Sequence, residues 1–413
     1  MHGPIDIPKR DQVIARDLSG PAKTSLIVGL VGIIASLALG LGDMTRFGHS
    51  MLVALMFFLS ISLGALFFVL LQHVTSAGWS VVVRRVAEMM TGALPILGLV
   101  VVGVIVIPAL LGKAWIYDWL DHDFTDSHAL IKAKSGYLNA PFLVLRLAVY
   151  FAIWIGLSRF FRSTSLAQDD DQDPARTLKM QRRSGISIIL FALATTFGAF
   201  DLMMSLNAEW FSTMYGVYFF AGCFWSALAT LALATMWLEK RGQLKGVVTV
   251  EHYHDIGKLM FAFTFFWSYV AFSQFMLYWY ADISEETAWF KYRIYDAWQG
   301  FSIVLLVGHF AIPMLGLLSR HVKRRRNVFA AWCVYVLVFH YVDLYWNVMP
   351  ELVHGVPGGD PAQVGPNFGL IDVASWIGVA GLFLYGFLSK LDGKPALAIG
   401  DPRLPESMAF ENI

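Results

Sequence analysis

The chain has 413 residues and a formal net charge of +1, a balance that gives no reason to expect nucleic acid as a partner. Hydrophobic residues make up 57% of the chain and charged residues only 15%, whereas about a quarter of the residues in soluble domains are charged. This composition excludes an ordinary soluble protein and predicts a polytopic membrane protein.

Windows of about 20 apolar residues, long enough to cross a bilayer as a helix, occur ten times. We predict spans at 22–42, 47–72, 90–111, 139–161, 184–204, 213–237, 254–280, 298–320, 327–349 and 368–390. These runs are too long for the alternating strands of a membrane barrel, so we predict an all-α protein. The predicted divisions are a tail at 1–21, a ten-helix domain at 22–390 and a second tail at 391–413.

Lys and Arg are unevenly distributed between the two sides of this topology. Of the 31 basic residues, 24 lie on the side that carries both termini and six lie on the other side. The positive-inside rule therefore predicts that both termini are cytoplasmic.

Charged residues of different kinds lie in or next to the third, fourth and fifth spans. Arg84 and Glu88 stand four residues apart, a spacing that predicts an ion pair on a surface helix. The acidic run within 165–178 indicates a flexible cytoplasmic linker. Arg146 and Asp201 lie inside the outer ends of the fourth and fifth spans, where charge is costly unless it is paired or hydrated.

The seventh span begins with three titratable residues that can share a helix face, His254, Asp255 and Lys258. They can collect protons at a cytoplasmic mouth, although Lys258 can equally extend its amine to the interface. Deeper in the span, Ser273 and Gln274 can relay protons through water or can pack helix against helix.

The eighth and ninth spans carry the most informative polar residues. His309 lies near the middle of the eighth span. In 327–350, His340, Asp343 and Asn347 fall at i, i+3 and i+7 and form a polar stripe, with Asp343 roughly 10 Å from the end of the helix. Two interpretations remain: a pair that holds helices together, or a site that binds a proton or a redox ligand.

The two cysteines, Cys223 and Cys333, occur without a CxxC, CxxCH or iron–sulfur spacing. We therefore expect no metal and no haem bound by this chain. The Gly- and Pro-rich connection at 355–367 carries no Lys or Arg and is predicted to be a docking loop for an external partner.

Three long segments, 200–222, 266–290 and 340–351, carry a resemblance to a known family. In them the chain resembles the polysulfide-reductase-type (NrfD-like) membrane subunits, most closely the F subunit of bacterial alternative complex III. The resemblance implies two four-helix bundles, helices two to five and six to nine, flanked by helices one and ten. It also implies a bacterial plasma-membrane complex that oxidises menaquinol or ubiquinol and passes electrons to a cytochrome or copper protein and on to a terminal oxidase. Haem c and iron–sulfur clusters would belong to partner subunits, beside a paralogous C subunit.

Within that family the residues favour a proton pathway coupled to quinol oxidation. The predicted pathway consists of an outer cluster (Asp201, His340, Asp343 and Arg146), a middle link (His309, Ser273, Gln274) and an inner mouth (His254, Asp255, Lys258). One alternative is a quinol-oxidising subunit in which His340 or Asp343 accepts the quinol proton in the outer half of the membrane. A structural scaffold and a stand-alone secondary transporter remain as further alternatives. In every case lipids surround the chain.

Overall fold

Ten long helices run through the molecule in the computed structural model, which describes residues 7–353 and 363–411. They are Ser19–Gly40 (α1), Met44–Val74 (α2), Val81–Leu110 (α3), Ala140–Asp171 (α4), Pro174–Leu206 (α5), Tyr215–Lys240 (α6), Val250–Ala281 (α7), Gln299–Leu318 (α8), Arg326–Leu352 (α9) and Leu370–Leu391 (α10). Each is long and apolar enough to cross a bilayer, so the chain is an all-α polytopic membrane protein, as predicted. Most of the connection predicted as a docking loop, 355–367, lies outside the described residues.

The two ends of the described chain meet on one face of the molecule. Ile14 and Pro395 form an antiparallel bridge, and the Ala396 amide donates to the Val13 carbonyl over 2.8 Å. We call this end the terminal face. The other end, which carries the connections 111–139 and 282–298, is the opposite face.

The helices form two four-helix bundles, α2–α5 and α6–α9, as expected from the resemblance. The bundles meet where α6 packs on α2 and α5, and α2 is almost entirely buried. Outside the bundles, α1 and α10 pack on each other, and α10 also covers α2 and the first half of α3.

Small residues explain the close packing of α1 on α10. A Cβ atom on Gly32 would lie 2.5 Å from the Gly378 backbone nitrogen, and one on Gly381 would lie 2.5 Å from the Gly29 Cα. Glycine therefore lets the two backbones touch, as it does in other membrane helix pairs. The Ser36 and Ser375 hydroxyls complete this contact with a hydrogen bond of 2.5 Å.

The predicted linker at 165–178 is wrong. Here α4 continues through Asp171 and α5 begins at Pro174, which leaves a two-residue turn with Gln172 in the left-handed region (φ 54°). The Asp173 carboxylate caps α5 by accepting from the Ala175 amide over 2.9 Å. The acidic run is thus the end of one helix and the cap of the next.

Two helices contain a wider π-helical turn, at Val102–Val106 in α3 and at Leu306–Ala311 in α8. In both, a proline follows two residues later, at Pro108 and Pro313. Proline has no N–H to donate back into its helix, so the preceding turn loses a bond and can widen. The turn in α8 carries His309.

Candidate functional site

The predicted polar stripe on α9 is buried in the centre of the second bundle. His340 is 1% exposed, Asp343 2% and Asn347 2%. One ligand atom from each of His309, His340 and Asp343 lies within 4.8 Å of the others. We call these three residues the central cluster.

The tautomer of His340 follows from its neighbour on α2. The Ser60 hydroxyl donates its single proton to the Phe57 carbonyl over 2.7 Å. Ser60 Oγ also lies 2.7 Å from His340 Nε2, so with the hydroxyl proton on the Phe57 carbonyl, Nε2 is the donor in that bond. The lone pair of the neutral ring is consequently on Nδ1, which has no hydrogen-bond partner among the described residues.

Asp343 accepts hydrogen bonds from two other residues of the bundle. The Tyr218 hydroxyl of α6 donates to Asp343 Oδ1, and Asn347 Nδ2 donates to the same oxygen over 3.2 Å. The Tyr215 hydroxyl in turn donates to Asn347 Oδ1 over 3.2 Å. The described residues include no Lys or Arg paired with Asp343. Neutral donors, and not an ion pair, thus hold this carboxyl group.

His309 is held between two indole rings. Its ring centroid lies 3.8 Å from that of Trp267 on α7 and 4.1 Å from that of Trp225 on α6, with interplanar angles of 27° and 30°. Neither ring nitrogen of His309 has a hydrogen-bond partner in the described part of the chain. Because the faces are covered, the edge of the ring with its two nitrogens is the part left to react.

Gly222 on α6 provides the space for the central cluster. A Cβ atom there would lie 2.8 Å from His340 Cε1, 3.1 Å from His340 Nδ1 and 4.0 Å from Asp343 Oδ2. A methyl group would therefore push against the imidazole from the side of its free lone pair. The backbone of Gly222 is helical, a conformation that other residues adopt as well. Glycine is therefore needed at this position for space and not for its backbone conformation.

The structure does not bring Arg146 and Asp201 into this cluster. Arg146 binds Asp201 with two hydrogen bonds, from Nε over 2.8 Å and from a terminal nitrogen over 2.9 Å, and both residues are buried. Tyr150 donates to the same carboxylate over 2.8 Å, and the guanidinium lies 3.8 Å above the Tyr137 ring. This bidentate pair belongs to the first bundle, where it balances its own charge.

At the terminal face the predicted inner mouth is assembled. Lys258 Nζ lies 2.5 Å from Asp255 Oδ1, and His254 Nδ1 lies 3.9 Å from the same oxygen. The side chain of Lys258 is half exposed, whereas His254 is 8% exposed. These three residues form one polar group at the start of α7.

The two predicted middle residues of α7 lie elsewhere. Ser273 donates to the Tyr269 carbonyl of its own helix over 2.6 Å. Gln274 Oε1 accepts from Ser212, in the connection before α6, over 2.9 Å. Among the described residues, no hydrogen bond joins either side chain to the central cluster.

Sequence reasoning missed the aromatic residues around the cluster, because Tyr218, Trp225 and Trp267 look like ordinary residues of apolar spans. It also missed Arg293 and Glu351, which form a buried pair at 2.8 Å on the opposite face. Glu351 and Asn347 stand four residues apart on α9, a spacing that continues the polar stripe and could have revealed the acid.

The predicted pair of Arg84 and Glu88 forms, with Arg84 Nε 3.4 Å from Glu88 Oε1, but its predicted surface location is wrong because both side chains are completely buried. Arg84 binds Asp401 of the C-terminal segment over 2.6 Å. The adjacent Arg85 contacts Glu88 over 3.0 Å and Asp169 over 2.7 Å. This network closes the terminal end of the first bundle and ties the C-terminal segment to it.

Two large apolar grooves lie outside the central cluster. One of about 590 Å³ is lined by α1, α2, α3 and α10. The other, about 830 Å³, lies between α2, α9 and α10 and is lined by aromatic rings such as Phe57, Tyr341 and Trp376. Neither groove is lined by His340 or Asp343, which face the other side of α9.

No protein-family model matches the chain, and no curated protein matches it. The family resemblance of segments 200–222, 266–290 and 340–351 stays a prediction.

Proposed function

We propose that this chain is a membrane subunit of a respiratory quinol-oxidising complex of the alternative complex III type, and that its second bundle provides a transmembrane proton pathway. The resemblance of three long segments and the ten-helix architecture support the assignment to this class of complex. The excess of Lys and Arg at the terminal face supports a cytoplasmic location for that face in a bacterial plasma membrane.

The observation that carries the proton pathway is the central cluster itself. His309, His340 and Asp343 are buried in a membrane bundle, lie within 4.8 Å of one another and have no basic side chain paired with the acid among the described residues. The first bundle offers the contrast, because there Arg146 neutralises Asp201. A carboxyl group held only by neutral donors can gain and lose a proton without breaking an ion pair.

The Trp rings around His309 fix the position of its imidazole, with one indole on each face. Neither ring nitrogen has a hydrogen-bond partner among the described residues, and the ring lies beside His340 and Asp343. In the proposed pathway these three groups pass the proton between them.

Hydrogen bonds lead from the cluster toward the opposite face. Asp343 is bonded to Asn347, whose backbone carbonyl accepts from Arg293 over 3.2 Å. Arg293 binds Glu351, which also accepts from Tyr292 over 2.6 Å. Burial raises the pKa of Tyr292 well above its usual value, so this phenol stays protonated and remains a donor.

Toward the terminal face the polar groups are farther apart. Trp225 Nε1 donates to Thr264 Oγ1 over 3.0 Å, and six residues separate Thr264 from Lys258 of the inner mouth, about 9 Å of helix. Internal water has to carry the proton over this distance.

The quinol-oxidising alternative needs a cavity beside the group that accepts the quinol proton. Neither of the two grooves described above is lined by His340 or Asp343, so neither of them provides that cavity.

The test uses the purified complex in sealed proteoliposomes, with quinol oxidation and proton release followed together. In Asp343→Asn we expect oxidation to continue while proton release falls, and Asp282→Asn, which changes an exposed carboxylate, should behave as wild type. Loss of both activities in an assembled complex would favour a quinol site, and no change in either would favour a scaffold. Isolation of the chain without haem- or cluster-bearing partners would favour the stand-alone transporter.

A further inference from the structure

The central cluster combines three donor groups that are typical of metal sites. His309 and His340 each offer an imidazole nitrogen and Asp343 offers a carboxylate oxygen, and these atoms lie within 4.8 Å of one another. All three side chains are 0–2% exposed. Two imidazoles and a carboxylate form a common ligand set for divalent transition metals such as zinc.

The orphaned nitrogens are the second observation. Both ring nitrogens of His309 and Nδ1 of His340 have no partner among the described residues, although buried polar atoms are normally hydrogen-bonded. A metal ion satisfies such lone pairs directly.

The surroundings orient the donors as they do in known metal sites. A ligating histidine usually donates its other ring N–H to a neighbouring acceptor. Ser60 Oγ, 2.7 Å from His340 Nε2, is placed to accept this bond, which leaves the lone pair on Nδ1, beside Gly222 and on the side of Asp343. The two indoles fix the plane of the His309 ring.

The donor atoms have to approach one another to bind an ion. Zinc–nitrogen bonds are about 2.0–2.1 Å long, so ligand atoms in a tetrahedral site lie about 3.3 Å apart. The donors now lie within 4.8 Å of one another, so the ion has to draw them closer by up to about 1.5 Å.

We propose that His309, His340 and Asp343 bind one divalent transition-metal ion of the zinc class, and that the bound ion blocks proton transfer through the cluster. The binding depends only on the geometry, whereas the block rests on the proposed function. The ion occupies the same lone pairs that would accept protons. This inference departs from the absence of metal expected from the sequence, where the three ligands are too far apart to form a motif.

A fourth donor stands next to the three ligands. The Tyr218 hydroxyl already donates to Asp343 Oδ1, so its oxygen can complete a four-coordinate site with the two imidazoles and the carboxylate.

The experiment measures zinc in the intact complex, purified without a polyhistidine tag and dialysed against Zn²⁺ and then against buffer. Wild type should retain one zinc ion more than His340→Gln, and X-ray absorption at the zinc edge should show nitrogen and oxygen ligands. Ser60→Ala should bind zinc about 10-fold more weakly, because Ser60 orients His340. His122→Gln, an exposed histidine, serves as the control and should retain the full amount.

Asp343→Glu keeps the carboxylate and should keep the zinc ion, which separates loss of a ligand from misfolding. Equal zinc content in wild type and His340→Gln, or sulfur ligands at the zinc edge, would overturn the site. If wild type binds this zinc and its proton release is unchanged, the proposed block is refuted while the site stands. If no zinc binds and Asp343→Asn still abolishes proton release, the metal inference fails and the proton pathway stands.

Discussion

The buried pair of Arg146 and Asp201 allows a quantitative test of how the first bundle is held together. Arg146→Met removes the two hydrogen bonds to Asp201, of 2.8 and 2.9 Å, and a third to the Tyr137 carbonyl, and it leaves the Asp201 carboxylate, 1% exposed, with Tyr150 as a remaining donor. Breaking a buried ion pair in this way costs about 3–5 kcal/mol, because the surviving charge has no counter-charge. We expect the free energy of unfolding to fall by that amount.

The double variant Arg146→Met/Asp201→Leu separates this cause from lost packing. It removes both charges of the pair, while the Tyr150 hydroxyl and the Tyr137 carbonyl lose partners at a cost of about 1–3 kcal/mol. Unfolding of the purified protein by sodium dodecyl sulfate in mixed micelles measures each free energy. The double variant should be more stable than Arg146→Met alone. If the loss of unfolding free energy in the double variant equals the sum of the losses in Arg146→Met and Asp201→Leu, the unpaired carboxylate is not the cause of the destabilisation.

Three further predictions concern other parts of the molecule. Gly222→Ala should slow proton release in proteoliposomes without loss of assembly, because its methyl group would displace His340; wild-type rates would contradict the crowding. Gly32→Leu should prevent α1 from packing on α10 and lower the midpoint of thermal unfolding, whereas an unchanged midpoint would mean that this contact contributes little. Burial raises the pKa of Asp401, but Arg84 outweighs burial and holds it below its ordinary value. The resulting stability is present above the ordinary carboxyl pKa and is lost as the pH falls through the lowered pKa of Asp401. Asp401→Asn should therefore reduce the loss of unfolding free energy at acidic pH. The same loss in wild type and Asp401→Asn would contradict this.

The ten spans could be predicted from the sequence because bilayer crossing requires long apolar runs. The ends of the helices could not, since several helices extend beyond the apolar window into polar turns. The fifth predicted span begins at residue 184, whereas α5 begins at Pro174, where Asp173 provides a cap and Gln172 the left-handed turn. Capping satisfies backbone groups whatever the hydropathy, so a window of apolar residues does not detect it.

The central cluster could be predicted only in part. The spacing of His340, Asp343 and Asn347 follows from helical periodicity. The partners of a charged residue follow from the arrangement of helices, which spacing does not encode. Similar depth suggested that Asp201 joins the cluster, but it lies in the first bundle with Arg146.

The central claim is that protons pass through the buried cluster, and infrared difference spectroscopy of the assembled complex during quinol oxidation tests it most directly. A protonated carboxyl group absorbs separately from a carboxylate, so a change in protonation at Asp343 gives its own band. We predict a carboxyl band that changes during turnover, disappears in Asp343→Asn and persists in Asp282→Asn. Identical difference spectra for wild type and Asp343→Asn would contradict the account, because the protonation of the acid at its centre would then not change during turnover.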